Sequence, residues 1–77
     1  MKTITVLGSG CVKCHQTQDL ISAMLKDKGL DIDVVLDTNP ASAMKYKVMR
    51  TPAVVIDEKV VHIGSVPSKD TISSWFD

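Results

Sequence analysis

The sequence predicts a small α/β fold with the element order β-α-β-α-β-β-α, in which a four-stranded mixed sheet is flanked by three helices. Runs of β-branched apolar residues alternate with segments of helical periodicity, a pattern typical of α/β folds. A strand, a helix and a second strand follow one another within about 35 residues, which indicates a parallel βαβ unit. Two later β-rich runs, separated by Asp57-Glu58, predict a hairpin that adds an antiparallel pair to the same sheet.

The N-terminal half supplies the βαβ unit. Residues 3–7 are rich in β-branched side chains and are followed by Gly8-Ser9-Gly10, which predicts a short strand and then a loop. Residues 12–28 contain no proline or glycine and predict a helix that Gly29 ends. The apolar positions of this helix are Leu20, Ile21, Met24 and Leu25. Residues 31–37 predict the second strand, with Ile32, Val34 and Leu36 on one face.

The C-terminal half supplies the remaining helices and the hairpin. Asn39 and Pro40 favour a helix start, and the helix is expected over residues 40–47. Residues 53–56 and 59–63 are the two hairpin strands. Pro67-Ser68 opens the last helix. Its expected buried stripe is Ile72, Trp75 and Phe76.

Length and charge restrict the classes of function. With 77 residues we expect one domain, spanning 1–77, that acts as a monomer. Nine basic residues balance nine acidic ones, and no stretch concentrates lysine or arginine, so neither a nucleic acid nor a membrane surface is an expected partner. The N-terminal apolar run is too short for a signal peptide and no run has membrane-spanning length, so we expect a cytoplasmic protein.

Two cysteines three positions apart carry the strongest chemical signal. Cys11 and Cys14 fall at the predicted start of the first helix, where both sulfurs can meet in a reversible disulfide. The helix start favours the thiolate of Cys11, which makes Cys11 the expected nucleophile, and Cys14, one turn further on, the expected resolving cysteine. Lys13 and His15 are candidate modulators of the thiolate, although an exposed helix residue is the favoured interpretation of each. No cofactor or metal is expected.

Three segments together resemble a known family. They are Gly8-Ser9-Gly10-Cys11-x-Lys13-Cys14, the segment Val48-Met49-x-Thr51-Pro52-Ala53-Val54-Val55-Ile56-Asp57, and Gly64-x-Val66-Pro67-Ser68. The combination resembles the small prokaryotic redox-active disulfide proteins, a compact thioredoxin-like family in the short form shared with glutaredoxins.

This resemblance implies a thioredoxin fold and a thiol-disulfide oxidoreductase. It implies that Pro52 is cis beside the cysteine pair, and that the backbone of Thr51 pairs with an extended substrate segment. The expected partners are disulfide-containing target proteins and a thioredoxin-reductase-like protein that recycles the pair. Val12 and Lys13 stand between the cysteines instead of the Gly-Pro of typical thioredoxins or the Pro-Tyr of typical glutaredoxins, which leaves the use of glutathione open.

Four other interpretations of the cysteine pair compete with this one. A soft-metal chaperone would bind copper or zinc through both thiolates, but its ferredoxin-like fold has the order β-α-β-β-α-β. The sequence from Cys11 to His15 also spells the haem-attachment motif, which would require export and a mostly helical chain. A structural zinc would need two further ligands, for which His15 and His62 are the candidates. An interaction domain with an incidental cysteine pair is the remaining alternative.

Two further patterns are assigned no chemistry. Gly8 and Gly10 follow a strand as in a dinucleotide loop, but Lys13 occupies the third glycine position, so the fingerprint fails. Three methionines are expected to fill the core: Met24, Met44 and Met49.

Overall fold

The computed structural model describes residues 3–10 and 12–76, and Met1, Lys2, Cys11 and Asp77 lie outside the described residues. The elements in chain order are β1 Thr3–Leu7, α1 Val12–Asp27, β2 Asp33–Asp37, α2 Pro40–Lys45, β3 Ala53–Ile56, β4 Lys59–Ile63 and α3 Lys69–Ser74. The predicted α/β class, with its mixed four-stranded sheet and three helices, is confirmed.

The sheet has the strand order β2-β1-β3-β4. β1 pairs parallel to β2 and antiparallel to β3, and β3 pairs antiparallel to β4. Leu7 lies between Asp37 on one side and Ala53 on the other, so the last residues of β1 and β2 meet the first residue of β3. We call this end of the sheet the site end. The 57–58 turn lies at the opposite end, which we call the far end.

Each face of the sheet carries its own apolar cluster. Helices α1 and α3 cover one face, where Ile4 and Val6 of β1 pack with Ile21 and Ile72 of the helices. On the other face Leu7, Ala53 and Val55 are covered by Tyr46 and Val48, which follow α2. β1 and β3 lie inside the sheet and contain the buried strand residues, whereas β2 and β4 contain half-buried and exposed residues.

Helix α1 ends as predicted at a left-handed glycine, one residue earlier than the expected limit of residue 28. Gly29 has φ +68°. The amide of Gly29 bonds to the carbonyl of Lys26, and the amide of Leu30 bonds to that of Leu25 at 2.9 Å. This pair of bonds is the Schellman arrangement that closes helix C-termini.

The other two boundary differences have equally local causes. Helix α2 was expected to reach residue 47 but ends at Lys45. Lys47 adopts a left-handed φ of +56°, and its amide bonds to the carbonyl of Met44. The amide of Val48 bonds to the carbonyl of Ala43, so this helix end is also a Schellman arrangement. β2 was expected from residue 31 and begins at Asp33, where its pairing with β1 begins.

The hairpin has the predicted limits and one irregularity. Asp57 and Glu58 both have positive φ, +50° and +66°, the pattern of a type I′ turn. Further along β4, Val60 lies opposite Val55 and His62 lies opposite Val54. Val61 is therefore an extra residue in β4, which makes a β-bulge.

The methionine prediction was wrong for two of the three residues. Met24 is half-buried and packs against the apolar cluster on the face that α1 and α3 cover, as expected. Met44 is 78% exposed and Met49 is 93% exposed. Both lie in or after α2, a helix too short to place every apolar residue on the sheet.

Candidate active site

The loop between β1 and α1 brings the start of α1, with Cys14, to the site end. β1 ends at Leu7 and α1 begins at Val12, the residue that follows Cys11 in the sequence. The amide of Gly8 bonds to the carbonyl of Asp37 at 3.2 Å, so the chain leaves β1 beside the end of β2. Cys11 lies outside the described residues, and its assignment as nucleophile remains a prediction.

Cys14 is buried under this loop. It is the third residue of α1 and has no solvent exposure. Gly8 covers it so closely that a Cβ built on Gly8 would overlap the sulfur of Cys14 and lie 3.1 Å from its Cβ. The same position is 3.8 Å from the Cβ of Thr51. Gly8 therefore lies between Cys14 and Thr51, and a larger residue could not occupy its place without moving one of its neighbours.

Thr51 and Pro52 form the facing side of the site. Their peptide bond is cis. Pro52 is buried, whereas Thr51 is exposed at the start of the segment that leads into β3. The carbonyl of Pro52 accepts a hydrogen bond of 2.9 Å from the amide of Gly64, which ties the start of β3 to the residue after β4.

A cleft opens next to Gly8 and Thr51. It has a volume of about 190 Å³ and lies between the β1–α1 loop and the first turn of α2. Its lining residues are Gly8, Ser9, Thr38, Asn39, Pro40, Ala43 and Thr51. A larger cavity of about 520 Å³ lies elsewhere, along Leu20 and Ala23 of α1 and Val66. The smaller cleft is the relevant one because only it adjoins the glycine that covers the Cys14 sulfur.

Lys13 and His15 lie on the exposed side of α1, as predicted from their positions in the motif. The backbone carbonyl of Lys13 accepts a hydrogen bond of 2.8 Å from the hydroxyl of Thr17, which is fully buried. His62, the other candidate zinc ligand, has its ring centroid 6.3 Å from that of Trp75 and its Nε2 3.0 Å from the hydroxyl of Ser65.

Neither a metal centre nor a membrane span is found in the part of the chain that the structure describes. Within residues 3–10 and 12–76, no three His, Cys, Asp or Glu side chains come together in a group that could hold a metal ion. Among the same residues, no helix combines the length and the apolar character needed to cross a bilayer. The order of the elements also differs from that of the ferredoxin-like metal chaperones.

Asp37 organises the start of α2 beside the cleft. One of its carboxylate oxygens accepts a hydrogen bond of 2.6 Å from the hydroxyl of Ser42, and the other accepts one of 2.9 Å from the amide of Asn39. The Ser42 hydroxyl, and after it the Asn39 amide, hold the pKa of Asp37 below its usual value. The side chain of Asn39 in turn caps the helix by accepting from the amide of Ala41.

From the sequence, Gly8 was expected only to end the first strand. Its φ lies outside the left-handed region, so backbone freedom does not explain the glycine. The reason is space for the Cys14 sulfur, a contact between residues in different elements. In the sequence, Gly8 stands three residues before Cys11. This spacing does not by itself predict a contact between Gly8 and Cys14.

The strand-loop-helix unit that buries Cys14 and the cis Thr51-Pro52 bond before the antiparallel pair define a protein of thioredoxin fold. The chain belongs to the thioredoxin domain family, whose model matches residues 2–77. It is similar to a protein named thioredoxin from Methanocaldococcus jannaschii, with 32% identity over 72 residues that cover 94% of this chain and 83% of that protein. The predicted family is thereby confirmed.

Proposed function

We propose that this protein is a thiol-disulfide oxidoreductase that reduces disulfides in target proteins through Cys11 and Cys14. Membership of the thioredoxin family supports the reaction class. The proposal further includes a cytoplasmic location, a monomeric protein and recycling by a thioredoxin-reductase-like partner. Cytoplasmic thiols are kept reduced, which suits a protein that delivers electrons.

The reaction proceeds in two exchanges. The Cys11 thiolate attacks one sulfur of the target disulfide, a mixed disulfide forms, and the other target sulfur leaves as a thiolate that takes up a proton. The Cys14 sulfur, having lost its proton, then attacks Cys11, so the Cys11-Cys14 disulfide forms and the second target thiol is released. The target gains two electrons and two protons, and the reductase later returns the same number to the cysteine pair.

The burial of Cys14 next to the loop between β1 and α1 is the observation that carries this proposal. A resolving cysteine needs to reach the nucleophile without competing with it for the target. Cys14 has no solvent exposure and lies within the first turn of α1, next to Gly8 of the loop that leads to Cys11. This location separates the two roles, since a target can approach the loop but cannot reach the Cys14 sulfur directly.

The facing segment supplies the second part of the proposal. Thr51 is exposed and Pro52 is buried, so Thr51 offers its backbone at the rim of the cleft. We assign Thr51 and Pro52 to target binding, with an extended target segment lying along Thr51. Lys13 and His15 are proposed to modulate the thiolate from the exposed side of α1.

Trapping of the mixed disulfide tests the mechanism. We expect Cys14→Ser to accumulate a covalent adduct with a disulfide-containing peptide, because the second exchange is blocked, and Cys11→Ser to form none. Mass spectrometry without reductant measures both, and the metal content of the same samples is determined in parallel. Equal trapping by the two variants, or activity that depends on bound metal, would overturn the proposal.

A further inference from the structure

Two basic side chains flank the site end and acidic side chains are in excess at the far end, although the formal net charge of the chain is zero. At the site end, Lys13 is the second residue of α1, and Arg50 directly precedes Thr51. The side-chain carbons of Arg50 lie 3.5 Å from the position that a Cβ on Gly64 would occupy. Gly64 is in turn bonded to Pro52.

Asp37, the last residue of β2, is an acidic residue at this same end. It is half-buried, and both of its oxygens accept hydrogen bonds from the start of α2. The remaining groups around the loop and the cleft are neutral: Ser9, Thr38, Asn39 and Thr51. Two basic side chains next to the loop and to Thr51 thus outnumber this one carboxylate, which is held on the α2 side.

The far end has the opposite balance. Asp57 and Glu58 form the hairpin turn, Asp33 begins β2, and Asp27 ends α1. Asp31 lies just before β2. Among the described residues, the basic side chains next to these acidic ones in sequence are Lys26, Lys28 and Lys59. The dipole of α1 acts in the same sense, because its positive end lies at the site end and its negative end at the far end.

Two exposed apolar side chains are adjacent in sequence to the basic residues of the site end. Val12, next to Lys13, is 72% exposed, and Met49, next to Arg50, is 93% exposed. Apolar contacts surrounded by charge are typical of surfaces that bind other proteins. Exposed methionine is also typical of surfaces that adapt to several partners.

We propose that the site end docks target proteins whose reactive disulfide is flanked by aspartate and glutamate. This inference rests on the proposed oxidoreductase function and deepens it by naming the class of target. Opposite charge on the target would raise the encounter rate and orient the disulfide toward the loop. Lys13 follows that loop in α1 and Arg50 directly precedes Thr51, and they act as specificity-determining residues.

The test uses three disulfide peptides of equal length, with acidic, neutral or basic residues around the cystine. Rates of reduction by the fully reduced protein are measured at about 10 mM and about 300 mM salt. The screening length for charges is roughly 30 Å at the lower ionic strength and only several ångströms at the higher one. The effect of charge on the reduction rate should therefore be large at about 10 mM salt and small at about 300 mM salt. We expect the acidic peptide to react about tenfold faster than the neutral one at low salt, and this ratio to approach one at high salt.

Two double variants with the same net charge provide the matched comparison. Lys13→Gln with Arg50→Gln removes two cations from the site end, and Lys26→Gln with Lys59→Gln removes two from the far end. The first pair should lower the acidic-to-neutral rate ratio to about two, and the second should leave it unchanged. Using the ratio cancels any change in the intrinsic reactivity of Cys11, since that change affects both peptides.

The outcomes separate the two proposals. If no peptide is reduced, the oxidoreductase function itself fails. If all three are reduced at equal rates, or if the two double variants lower the ratio equally, the function stands and the inference about acidic targets is overturned. Charge reversal, Lys13→Glu with Arg50→Glu, should make the basic peptide the fastest substrate.

Discussion

Gly8 leaves the space that the sulfur of Cys14 fills. A side chain at Gly8 would overlap that sulfur, and the same position is 3.8 Å from Thr51. One glycine therefore sets the separation between the buried cysteine and the segment proposed to bind the target. The contact joins the end of β1 to the first turn of α1, so it also determines how closely the helix approaches the strand.

Gly8→Ala is expected to lower the free energy of unfolding by about 1–3 kcal/mol, because the added methyl group requires the Cys14 sulfur or the loop to move. Resolution of the mixed disulfide should slow by roughly tenfold, which corresponds to about 1.4 kcal/mol in barrier height. Urea unfolding measures the first effect and the decay of a preformed adduct measures the second.

A double-mutant cycle identifies the contact responsible. In a Cys14→Ala background the sulfur is absent, so Gly8→Ala should cost less than about 1 kcal/mol. Gly29→Ala serves as the control. It introduces strain at a left-handed residue remote from the site, with open space around it, and its cost should not depend on Cys14. An unchanged cost of Gly8→Ala in both backgrounds would contradict the steric account.

Alkylation at pH 7 should label Cys11 at least about tenfold faster than Cys14. Cys14 is fully buried, and a cysteine at a helix start has a larger thiolate fraction. Peptide mapping after a short pulse of iodoacetamide measures both sites. The unfolded protein in urea is the reference, in which the two rates should become similar. Faster labelling of Cys14 in the folded protein would reverse the proposed roles.

Acid should destabilise the start of α2 through Asp37. Hydrogen bonds to its carboxylate lower the folded-state pKa below the usual value of 3.8, so the folded protein binds fewer protons than the unfolded chain. The stabilisation is therefore fully present above pH 3.8 and is lost as the pH falls through the lowered folded-state pKa. Asp37→Asn should be less stable than the wild type near neutrality, and this difference should shrink as the pH falls.

The matched control for this prediction is Asp33→Asn at the other end of the same strand. Asp33 is exposed and begins β2, away from the cap of α2. Unfolding curves from pH 2 to pH 7 on all three proteins provide the comparison. A stability gap between wild type and Asp37→Asn that stays constant over this range would show that the carboxylate has no special role.

Glu58→Gly is expected to stabilise the protein by roughly 0.5–1 kcal/mol. Asp57 and Glu58 both adopt left-handed backbone conformations, and glycine removes the steric penalty of the second one. Thermal unfolding measures the gain. Lys59→Gly, one residue further and inside β4, should instead lower the stability by a similar amount. Both positions lie at the far end, so the rate with a neutral disulfide peptide should change in neither variant.

Local patterns predicted most of the fold. The limits of both hairpin strands were correct, because a two-residue turn leaves little freedom in the register. The stop at Gly29 was also correct, since glycine favours the left-handed conformation at a helix end. The end of α2 was not predicted, because Lys47 adopts that conformation without the residue type that normally signals it.

The candidate site was less accessible to sequence reasoning than the fold. The motif brings Cys14 to the start of α1, and this placement is local. The packing of Gly8 over its sulfur, the cleft between Ser9 and Ala43, and the bonding of Asp37 to Ser42 all depend on where separate elements meet. The exposure of Met44 and Met49 was missed for the same reason, because hydrophobicity alone does not reveal which sheet positions are already occupied.

The bulge at Val61 has a consequence for self-association. β4 is an outer strand of the sheet, and outer strands expose backbone groups to which a second chain could add and begin aggregation. The extra residue bends β4 and interrupts the regular spacing of its backbone hydrogen-bond donors and acceptors. A strand from a second chain therefore could not form an uninterrupted ladder of hydrogen bonds with β4. At the other outer strand, β2, the two terminal residues are Asp33 and Asp37, whose charges disfavour stacking of like edges. Both lateral borders of the sheet thus oppose fibril growth, and the site end, where disulfide exchange is proposed, is separate from both.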